Sequence, residues 1–203
     1  MAVQHSQTVI AIGASTGGTE AIRLLLKQLP DLQAAPLPPI VVTQHIDPGF
    51  AKALAASLNK STALSVSLAE EGKRLQAGHV YLAPGDRHLV LSADQMGYCC
   101  HLSAEPPRNK CRPSVDVMFE SLAEGSAAHI VAVLLTGMGR DGAQGLLTLR
   151  QQGAYTLAQD EASSVVWGMP GEAVRVNAAI DVVPLAEVAT AIRKQINDHK
   201  SSS

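Results

Sequence analysis

Short runs of apolar residues alternate along the chain with longer segments in which apolar residues recur at helical spacing. Runs that are apolar on both faces are typical of strands in a parallel sheet that helices cover on both sides. The pattern therefore predicts a doubly wound α/β domain with a mostly parallel sheet. The predicted strands are residues 8–12, 40–43, 130–135, 154–158 and 180–183, and the predicted helices are residues 17–29, 48–58, 143–151 and 184–196.

The middle of the chain has a different pattern. Residues 80–102 form short alternating runs that are interrupted at Pro84-Gly85-Asp86 and at Met96-Gly97, which predicts an excursion of antiparallel hairpins. The proline-bearing stretch 30–39 is the most loop-like internal segment. We expect one domain over residues 1–197, followed by a polar C-terminal tail at 198–203.

Composition narrows the classes of function. The 203 residues include 16 Lys and Arg against 18 Asp and Glu, without the basic cluster that nucleic acid or an anionic membrane surface requires. No apolar run approaches the roughly 18 residues of a membrane-spanning helix. Residues 1–8 lack the basic start of a secretory signal. Three cysteines, two of them adjacent, do not suggest a disulfide framework, so we expect a cytoplasmic protein.

The first candidate for chemistry is Gly13-Ala14-Ser15-Thr16-Gly17-Gly18, between a predicted strand and a predicted helix. It fits G-x-S-x-G, the sharp turn that exposes a serine hydroxyl at a strand end, and the N–H groups of the next helix suit an oxyanion. The alternative is a dinucleotide-binding turn, since the segment is close to G-x-G-x-x-G and Asp47 follows the second strand. Ser15 stands, however, where that motif has its middle glycine.

Two further predicted strands end in candidate residues. His45 directly follows the second strand, and Asp141 lies in a glycine-rich loop after the third. Each residue could instead have a purely structural role. His45 would then be a polar side chain of the fold, and Asp141 would cap the next helix. In a doubly wound sheet, however, the strand ends at the reversal of strand order share one crevice. We therefore expect Ser15, His45 and Asp141 to meet as a Ser-His-Asp triad, in a chain order that differs from that of the α/β hydrolases.

A metal site is a weaker hypothesis. Zinc ligands are conceivable among Cys99, Cys100, His101 and Cys111. Adjacent residues of a strand point to opposite faces, however, and the usual two-residue spacer between ligands is missing. Small buried thiols in a hairpin are the better interpretation.

Six spaced blocks of the chain, between about residues 9 and 185, form a specific sequence pattern. The blocks are AIGASTGGTEAI from Ala11, TQHIDPGF from Thr43, GHVYLAPGDRHL from Gly78, RPSVDVMF from Arg112, LLTGMGRDGAQGL from Leu134 and AQDEASSVVWGMPGEA from Ala158. In this order they resemble the catalytic domain of CheB-type chemoreceptor protein-glutamate methylesterases. The resemblance implies a three-layer α/β/α sandwich that hydrolyses γ-glutamyl methyl esters on receptor signalling helices and releases methanol. Some members also deamidate receptor glutamines.

The resemblance also implies roles for individual residues. Ser15 corresponds to the nucleophile, His45 to the general base and later acid, and Asp141 to the orienting carboxylate. Backbone N–H groups of Thr16 and Met138 correspond to the oxyanion hole. No metal or organic cofactor is implied, and the implied partners are the cytoplasmic signalling helices of methyl-accepting chemoreceptors, without nucleic-acid binding or membrane insertion.

Three positions depart from the family pattern. Cys111 stands where many relatives have histidine, Gly171 where they have arginine, and Ser164 where they often have cysteine. Relatives usually also carry an N-terminal receiver domain, so we expect either an excised domain or an enzyme without that switch. A catalytically silent receptor-binding module of the same fold is the main alternative, and a dinucleotide-binding oxidoreductase is a second one.

Basic residues in or beside these blocks suggest how a receptor would be recognised. Arg87, Arg112 and Arg140 could meet the acidic face of a receptor helix, although ordinary surface solvation would account for them equally well.

Overall fold

A seven-stranded parallel sheet forms the centre of the protein, seen here in a computed structural model that describes residues 7–31, 37–125 and 127–201. A separate two-stranded antiparallel sheet lies beside it. In chain order the elements are β1 (Val9–Ala14), α1 (Gly18–Asp31), β2 (Ile40–Gln44), α2 (Pro48–Ser61), β3 (Ser65–Leu68), β4 (His79–Leu82), β5 (His88–Asp94), β6 (Gly97–Ser103), α3 (Val115–Ala123), β7 (Ile130–Leu134), α4 (Ala143–Gln151), β8 (Tyr155–Gln159), α5 (Met169–Arg175), β9 (Asp181–Val183) and α6 (Leu185–Ser201).

The central strands are buried on both faces, as their continuous apolar runs predict. In β1, Val9 and Ala11 point into one hydrophobic core, whereas Ile10 and Ile12 point into the other. Helices α1, α2 and α6 cover the second core, and α3, α4, α5 and the β5–β6 hairpin cover the first. The predicted doubly wound α/β sandwich of three layers is confirmed.

The order of the strands places the reversal of the chain at β1. From β1 the chain runs outward through β2 to β4 and β3, and it returns to the other side of β1 with β7, β8 and β9. Gly13 of β1 is in register with Thr43 of β2 on one side and with Leu134 of β7 on the other. The carboxyl ends of β2, β1 and β7 therefore lie next to one another, which is the crevice expected from the sequence.

The prediction of antiparallel hairpins over residues 80–102 is wrong for its first part. Strand β4 joins the main sheet in parallel between β2 and β3, and only β5 and β6 form a hairpin. Val80, Tyr81 and Leu82 are all buried, as in other strands of a covered parallel sheet. The strand has only four residues, too few to show a clear period, and Pro84-Gly85-Asp86 leads the chain out of the sheet.

The sequence pattern also missed the short elements β3, α3 and α5. At the C-terminus, α6 continues beyond Ile196 to Ser201, so part of the expected tail is helical. Polar residues do not end a helix by themselves, and this stretch has no glycine or proline. The expected loop at 30–39 begins later than predicted, after Asp31, and residues 32–36 of it, like 202–203 of the tail, lie outside the described residues. No helix in the described part of the chain is long and apolar enough to cross a membrane.

Candidate active site

Ser15 is the first residue beyond β1, in a turn held by the neighbouring strands. Its N–H donates to the carbonyl of Thr136 at 3.0 Å, and its own carbonyl accepts from the Gln44 side chain at 2.9 Å. Gly17 has a φ of +80°, and a Cβ added there would lie 2.7 Å from Val165. The glycine thus permits both the left-handed backbone and the close approach that this turn requires.

His45 follows β2 and lies beside the serine turn, because its N–H donates to the carbonyl of Ala14 at 3.1 Å. Its imidazole Nε2 is 2.7 Å from Oδ2 of Asp141, and its Nδ1 is 3.7 Å from Sγ of Cys111. Since an ionised carboxylate only accepts hydrogen bonds, Nε2 carries a proton in this arrangement. Nδ1 is therefore the nitrogen left to accept a proton from another group.

Asp141 is buried, and several donors surround its carboxylate. Oδ1 accepts from the Ser114 hydroxyl at 2.7 Å and from Nδ2 of Asn109 at 3.0 Å, while Oδ2 accepts from the Val115 N–H at 2.7 Å. With the bond from His45, these contacts hold the carboxylate in one orientation. An aspartate bound in this way can fix the imidazole ring without moving itself.

The start of α3 supplies much of this environment. Ser114 is the N-cap of the helix, and its side chain also accepts from the N–H of Val117. The N–H groups of Val115 and Asp116 both point at Asp141. The positive end of the helix dipole therefore favours the ionised carboxylate, which offsets part of the cost of burying a charge.

The electrostatics of the pair follow from these contacts. Burial alone would lower the pKa of His45, but its hydrogen bonds to Asp141 and Cys111 raise it more, to about 9. Burial would raise the pKa of Asp141, but the hydrogen bonds from His45, Asn109, Ser114 and Val115 outweigh it and lower that pKa below its usual value. The contact thus favours an imidazolium beside a carboxylate, which is the charge distribution that appears during general-base catalysis.

A second buried carboxylate lies directly behind the first. Asn109 donates through the same Nδ2 to Oδ2 of Asp116 at 2.7 Å and to Asp141, so its amide bridges the two acids. Oδ1 of Asp116 accepts from the Gly145 N–H at 2.7 Å. Burial and the neighbouring charge of Asp141 raise the pKa of Asp116. Asp116 therefore links α3 to α4 and supports the site from behind.

The three candidate triad residues are brought together to different degrees. His45 and Asp141 are in direct contact, and the backbone of Ser15 is bonded to the strand ends on both sides. The Ser15 hydroxyl, however, makes no hydrogen bond to any described residue. Catalytic hydrogen bonds that are open in a free enzyme often close only when substrate binds.

The candidate oxyanion donors lie on the loops beside Ser15. Within the described ranges, the backbone N–H groups of Thr16 and Met138 donate no hydrogen bond to the protein. The loops that carry them are joined, because the Thr136 hydroxyl donates to the Thr16 carbonyl at 2.9 Å. A Cβ added at Gly137 would lie 2.8 Å from Cβ of Ser15, so the second loop packs closely against the serine.

Sequence reasoning missed the residues that hold Asp141, namely Asn109, Ser114 and Asp116. A signal for the last two was present, since Ser114 precedes a segment with apolar residues at 115, 118, 119 and 122 and reads as a helix N-cap. Asn109 has no comparable signal. It has a φ of +52°, and its contacts depend on how the loop before α3 folds.

The structure does not support the zinc hypothesis for the cysteine-rich hairpin. The imidazole of His101 is already occupied by Glu71 at 2.7 Å and Ser92 at 2.8 Å. Cys111 lies instead beside His45, and His45, Cys111 and Asp141 are the one group of potential metal ligands found among residues 7–31, 37–125 and 127–201.

Comparison with known proteins agrees with this fold. Residues 10–192 match the family model described as CheB methylesterase. Two relatives, from Chromohalobacter salexigens and Pseudomonas aeruginosa, are named protein-glutamate methylesterase/protein-glutamine glutaminase, the second with the number 2. Each is 50% identical over 190 residues, which are 94% of this chain but 52% and 53% of the relatives. The chain therefore spans about half the length of these relatives.

A solved structure covers the same region. The Thermotoga maritima CheB methylesterase catalytic domain superposes with a TM-score of 0.87 at 36% identity, covering 95% of this chain and 99% of that one. This chain and that catalytic domain therefore match over nearly their whole lengths. The chain belongs to the CheB methylesterase family.

Proposed function

We propose that this chain is a serine hydrolase that removes methyl esters from glutamate side chains, with Ser15, His45 and Asp141 as its triad. The observation that carries the proposal is the 2.7 Å contact between His45 Nε2 and Asp141 Oδ2 beside the serine turn. A histidine held by a buried carboxylate, at the end of the strand next to a half-buried serine, is the arrangement that serine hydrolases require.

The reaction follows from Nδ1, the imidazole nitrogen that Asp141 does not hold. His45 accepts the Ser15 proton at Nδ1 while Oγ attacks the ester carbonyl, and the resulting imidazolium is stabilised by Asp141, which stays ionised. The tetrahedral intermediate collapses to an acyl-enzyme, and His45 returns the proton to the departing methoxide, which leaves as methanol. Water activated by the same nitrogen then hydrolyses the acyl-enzyme and regenerates the glutamate carboxylate.

The negative oxygen of each tetrahedral intermediate would be bound by the N–H groups of Thr16 and Met138. Thr16 begins the turn into α1, whose N-terminus also favours negative charge. The lack of protein acceptors for both N–H groups in the described residues supports this role, because a preorganised oxyanion hole must be free to receive its ligand.

The substrate we propose is the cytoplasmic signalling helix of a methyl-accepting chemoreceptor, which places the reaction in the cytoplasm. The names of the relatives support glutamate esters in a protein as the substrate. Of the three candidate arginines, Arg112 binds backbone carbonyls of Ala104 and Glu105. Arg140 is exposed and forms no salt bridge in the described part of the chain. Arg140 is therefore the best candidate for meeting an acidic substrate helix.

Deamidation of receptor glutamines is a second activity that the same site would support. The names of the relatives include protein-glutamine glutaminase. The acyl-enzyme would be identical, and the difference lies in the leaving group, because ammonia must receive a proton from the His45 imidazolium as it departs. Release of ammonia from receptor fragments that carry glutamine at the modification positions would test it.

The decisive experiment measures methanol release from methylated receptor signalling fragments. Ser15→Ala should abolish release, whereas Ser61→Ala, which removes a hydroxyl at the far end of α2, should leave it unchanged. No release by the folded wild-type protein would favour the silent receptor-binding module. An increase in melting temperature on addition of NAD or NADP would revive the oxidoreductase hypothesis, which no structural finding favours.

A further inference from the structure

Cys111 lies at the one edge of the His45 ring that Asp141 does not occupy. Its Sγ is 3.7 Å from Nδ1, and the thiol also lies 3.5 Å from the carbonyl of Asn109. The mechanism proposed above gives Cys111 no task. A thiol and an imidazole nitrogen that face each other are, however, two of the ligand types that zinc prefers.

The spacing of these two atoms fits a common metal. In a tetrahedral zinc site with bonds of about 2.0–2.1 Å to nitrogen and about 2.3 Å to sulfur, the two ligand atoms are about 3.6 Å apart. The observed 3.7 Å between Nδ1 and Sγ is therefore close to the separation that two ligands of one such ion would have. The bridging ion would lie on the side of the ring from which Ser15 must deliver its proton.

The opposite edge of the ring is already arranged as in metal sites. Histidines that bind metals usually donate their other ring N–H to a carboxylate, which fixes the ring and makes the ligating nitrogen more basic. Here Nε2 donates to Asp141 at 2.7 Å, and Asp141 is itself held by Ser114 and Val115. Because its oxygens are already engaged, Asp141 would act as this outer carboxylate and not as a direct ligand.

His45 and Cys111 are both half-buried, so part of each side chain is open to solvent. Cys111 lines two open hollows, one of about 340 Å³ that His45 also lines and one of about 300 Å³ that Met138 and Asp141 line. Water can therefore occupy the remaining coordination positions. The cationic side chains of these hollows oppose a metal ion, whereas the carboxylate of Asp47 in the larger hollow favours one. The cations are Lys110 in both hollows, Arg112 in the larger and Arg140 in the smaller.

We propose that Nδ1 of His45 and Sγ of Cys111 form an inhibitory binding site for a soft divalent cation, Zn²⁺ in the first instance, with Asp141 as the outer carboxylate. On binding, the Cys111 thiol loses its proton to solvent, an imidazolium likewise releases its Nδ1 proton to solvent, and the lone pair of Nδ1 is donated to the metal. His45 can then no longer accept the Ser15 proton. The inhibition, though not the metal binding, rests on the proposed function.

Metal binding is tested first, without any substrate. Zn²⁺ is titrated into the full chain against a chromophoric chelator, and Co²⁺ is added separately to detect the near-ultraviolet band of a cobalt–thiolate bond. We expect one ion per chain and a thiolate band. Cys111→Ser should weaken zinc binding roughly tenfold or more and remove the band. Cys99→Ser, which removes another half-buried thiol, should change neither.

A third variant separates loss of a ligand from loss of structure. Cys111→His supplies a nitrogen in place of sulfur, so it should retain zinc binding but lack the cobalt–thiolate band. Absence of saturable zinc binding by the wild type, or equal binding by wild type and Cys111→Ser, would overturn the proposal. Loss of the band in Cys99→Ser would place the metal elsewhere and overturn it as well.

Inhibition is then measured as methanol release with and without Zn²⁺. Zinc should inhibit the wild type and Cys99→Ser reversibly, with activity restored by a chelator, and Cys111→Ser should need at least about tenfold more zinc for the same fractional loss. Magnesium at the same concentration should have no effect, because it prefers oxygen ligands. Metal binding without esterase activity would contradict the proposed function while leaving the metal site intact.

Discussion

Asp141 has no free lone pair in this structure, and that determines how the residue can be tested. Its carboxylate accepts from a hydroxyl, an amide, backbone N–H groups and an imidazole at the same time. Such a residue combines a structural task with a chemical one. A substitution therefore has to be followed by two measurements, one of folding and one of turnover.

Asp141→Asn should lower the rate of methanol release by about 10³ to 10⁴, as in other triads in which the carboxylate that selects the tautomer is lost. Every partner of the Asp141 carboxylate is a hydrogen-bond donor. The NH₂ group of asparagine would face at least one of these donors and could not accept its hydrogen bond, so some stability should be lost as well. Circular dichroism would check that the fold persists. Asp94→Asn, on the hairpin, is the matched control, and a loss below about tenfold would remove Asp141 from the triad.

The pH dependence of the reaction should reflect the raised pKa of His45, about 9. Below this value the imidazole is mainly protonated and cannot accept the Ser15 proton, so kcat/KM should rise as the pH increases from neutral towards alkaline values. Asp141→Asn removes the main partner of the imidazolium, so the rising limb of its residual activity should move to lower pH. A chelator in all buffers keeps metal ions from obscuring the profile.

If kcat/KM of the wild type no longer rises above neutral pH, the pKa of His45 is not raised as described. Melting curves at each pH would separate the titration of the site from unfolding.

At the residue scale, the sequence predicts the candidate catalytic residues better than the residues that hold them in place. Ser15, His45 and Asp141 each follow an apolar strand and are accompanied by turn residues, so their proximity follows from the topology of a doubly wound sheet. Asn109, which donates a hydrogen bond to Asp141, comes from a loop with left-handed backbone at Asn109 and Lys110. Neither residue is a glycine, and hydrophobic periodicity does not detect such a conformation.

At the element scale, the loop after β7 packs against the turn that carries Ser15. The Gly137 N–H donates to Val166 at 2.9 Å, and its carbonyl accepts from Met169 at 2.8 Å. The loop is therefore fastened to the start of α5 on one side and lies against Ser15 on the other. Its position decides where the Met138 N–H points.

Gly137→Ala should impair catalysis more than folding. The added Cβ would lie 2.3 Å from Sδ of Met169 and 2.8 Å from Cβ of Ser15. Methionine is flexible and can move, but the turn around Ser15 is fixed by its backbone bonds, so the proposed nucleophile and oxyanion donors should be displaced. We expect kcat to fall roughly a hundredfold, by analogy with other misplaced catalytic groups.

The control for this substitution is Gly49→Ala in α2, where nothing lies within 4 Å of the added Cβ. It should leave turnover unchanged and raise the melting temperature slightly, because alanine favours the helix. Equal kcat values for Gly137→Ala and the wild type would show that the two loops are not packed as described.

Elements with long apolar runs or strong helical periodicity were predictable, and α4 has the predicted bounds. The elements that were missed are short. β3 has four residues and α5 has seven, so each offers few positions from which a period can be recognised. β4 shows a different limit, since its placement between β2 and β3 depends on pairing between distant segments and not on its own composition.

For the molecule as a whole, charge near the site matters more than the net charge of −2. Arg108 and Arg175 line the same hollow as Arg140, but they are paired with Glu120 and Glu172. This leaves Arg140 as the cation of that hollow with no salt bridge in the described chain. An acidic protein substrate would therefore be attracted to this side of the crevice.

Arg140→Glu should raise KM for a methylated receptor fragment several-fold and weaken the salt dependence of kcat/KM, since like charges now meet at the edge of the contact. Hydrolysis of a small, uncharged ester should be unchanged, because Arg140 is not expected to touch the reacting atoms. Lys60→Glu gives the same change in net charge. Lys60 lies in the last turn of α2, at the end of the helix that points away from the crevice. A similar effect of both substitutions would point to net charge alone and contradict local steering.

The parallel alignment of β2, β1 and β7 has a consequence for how the protein acquires activity. Ser15, His45 and Asp141 are far apart in the chain, and they become neighbours only when three non-contiguous strands have paired. Such pairing closes long loops and is slow compared with the formation of helices. During refolding, hydrolytic competence should therefore recover together with protection of the central-strand amides against hydrogen exchange, after most of the helical signal has returned.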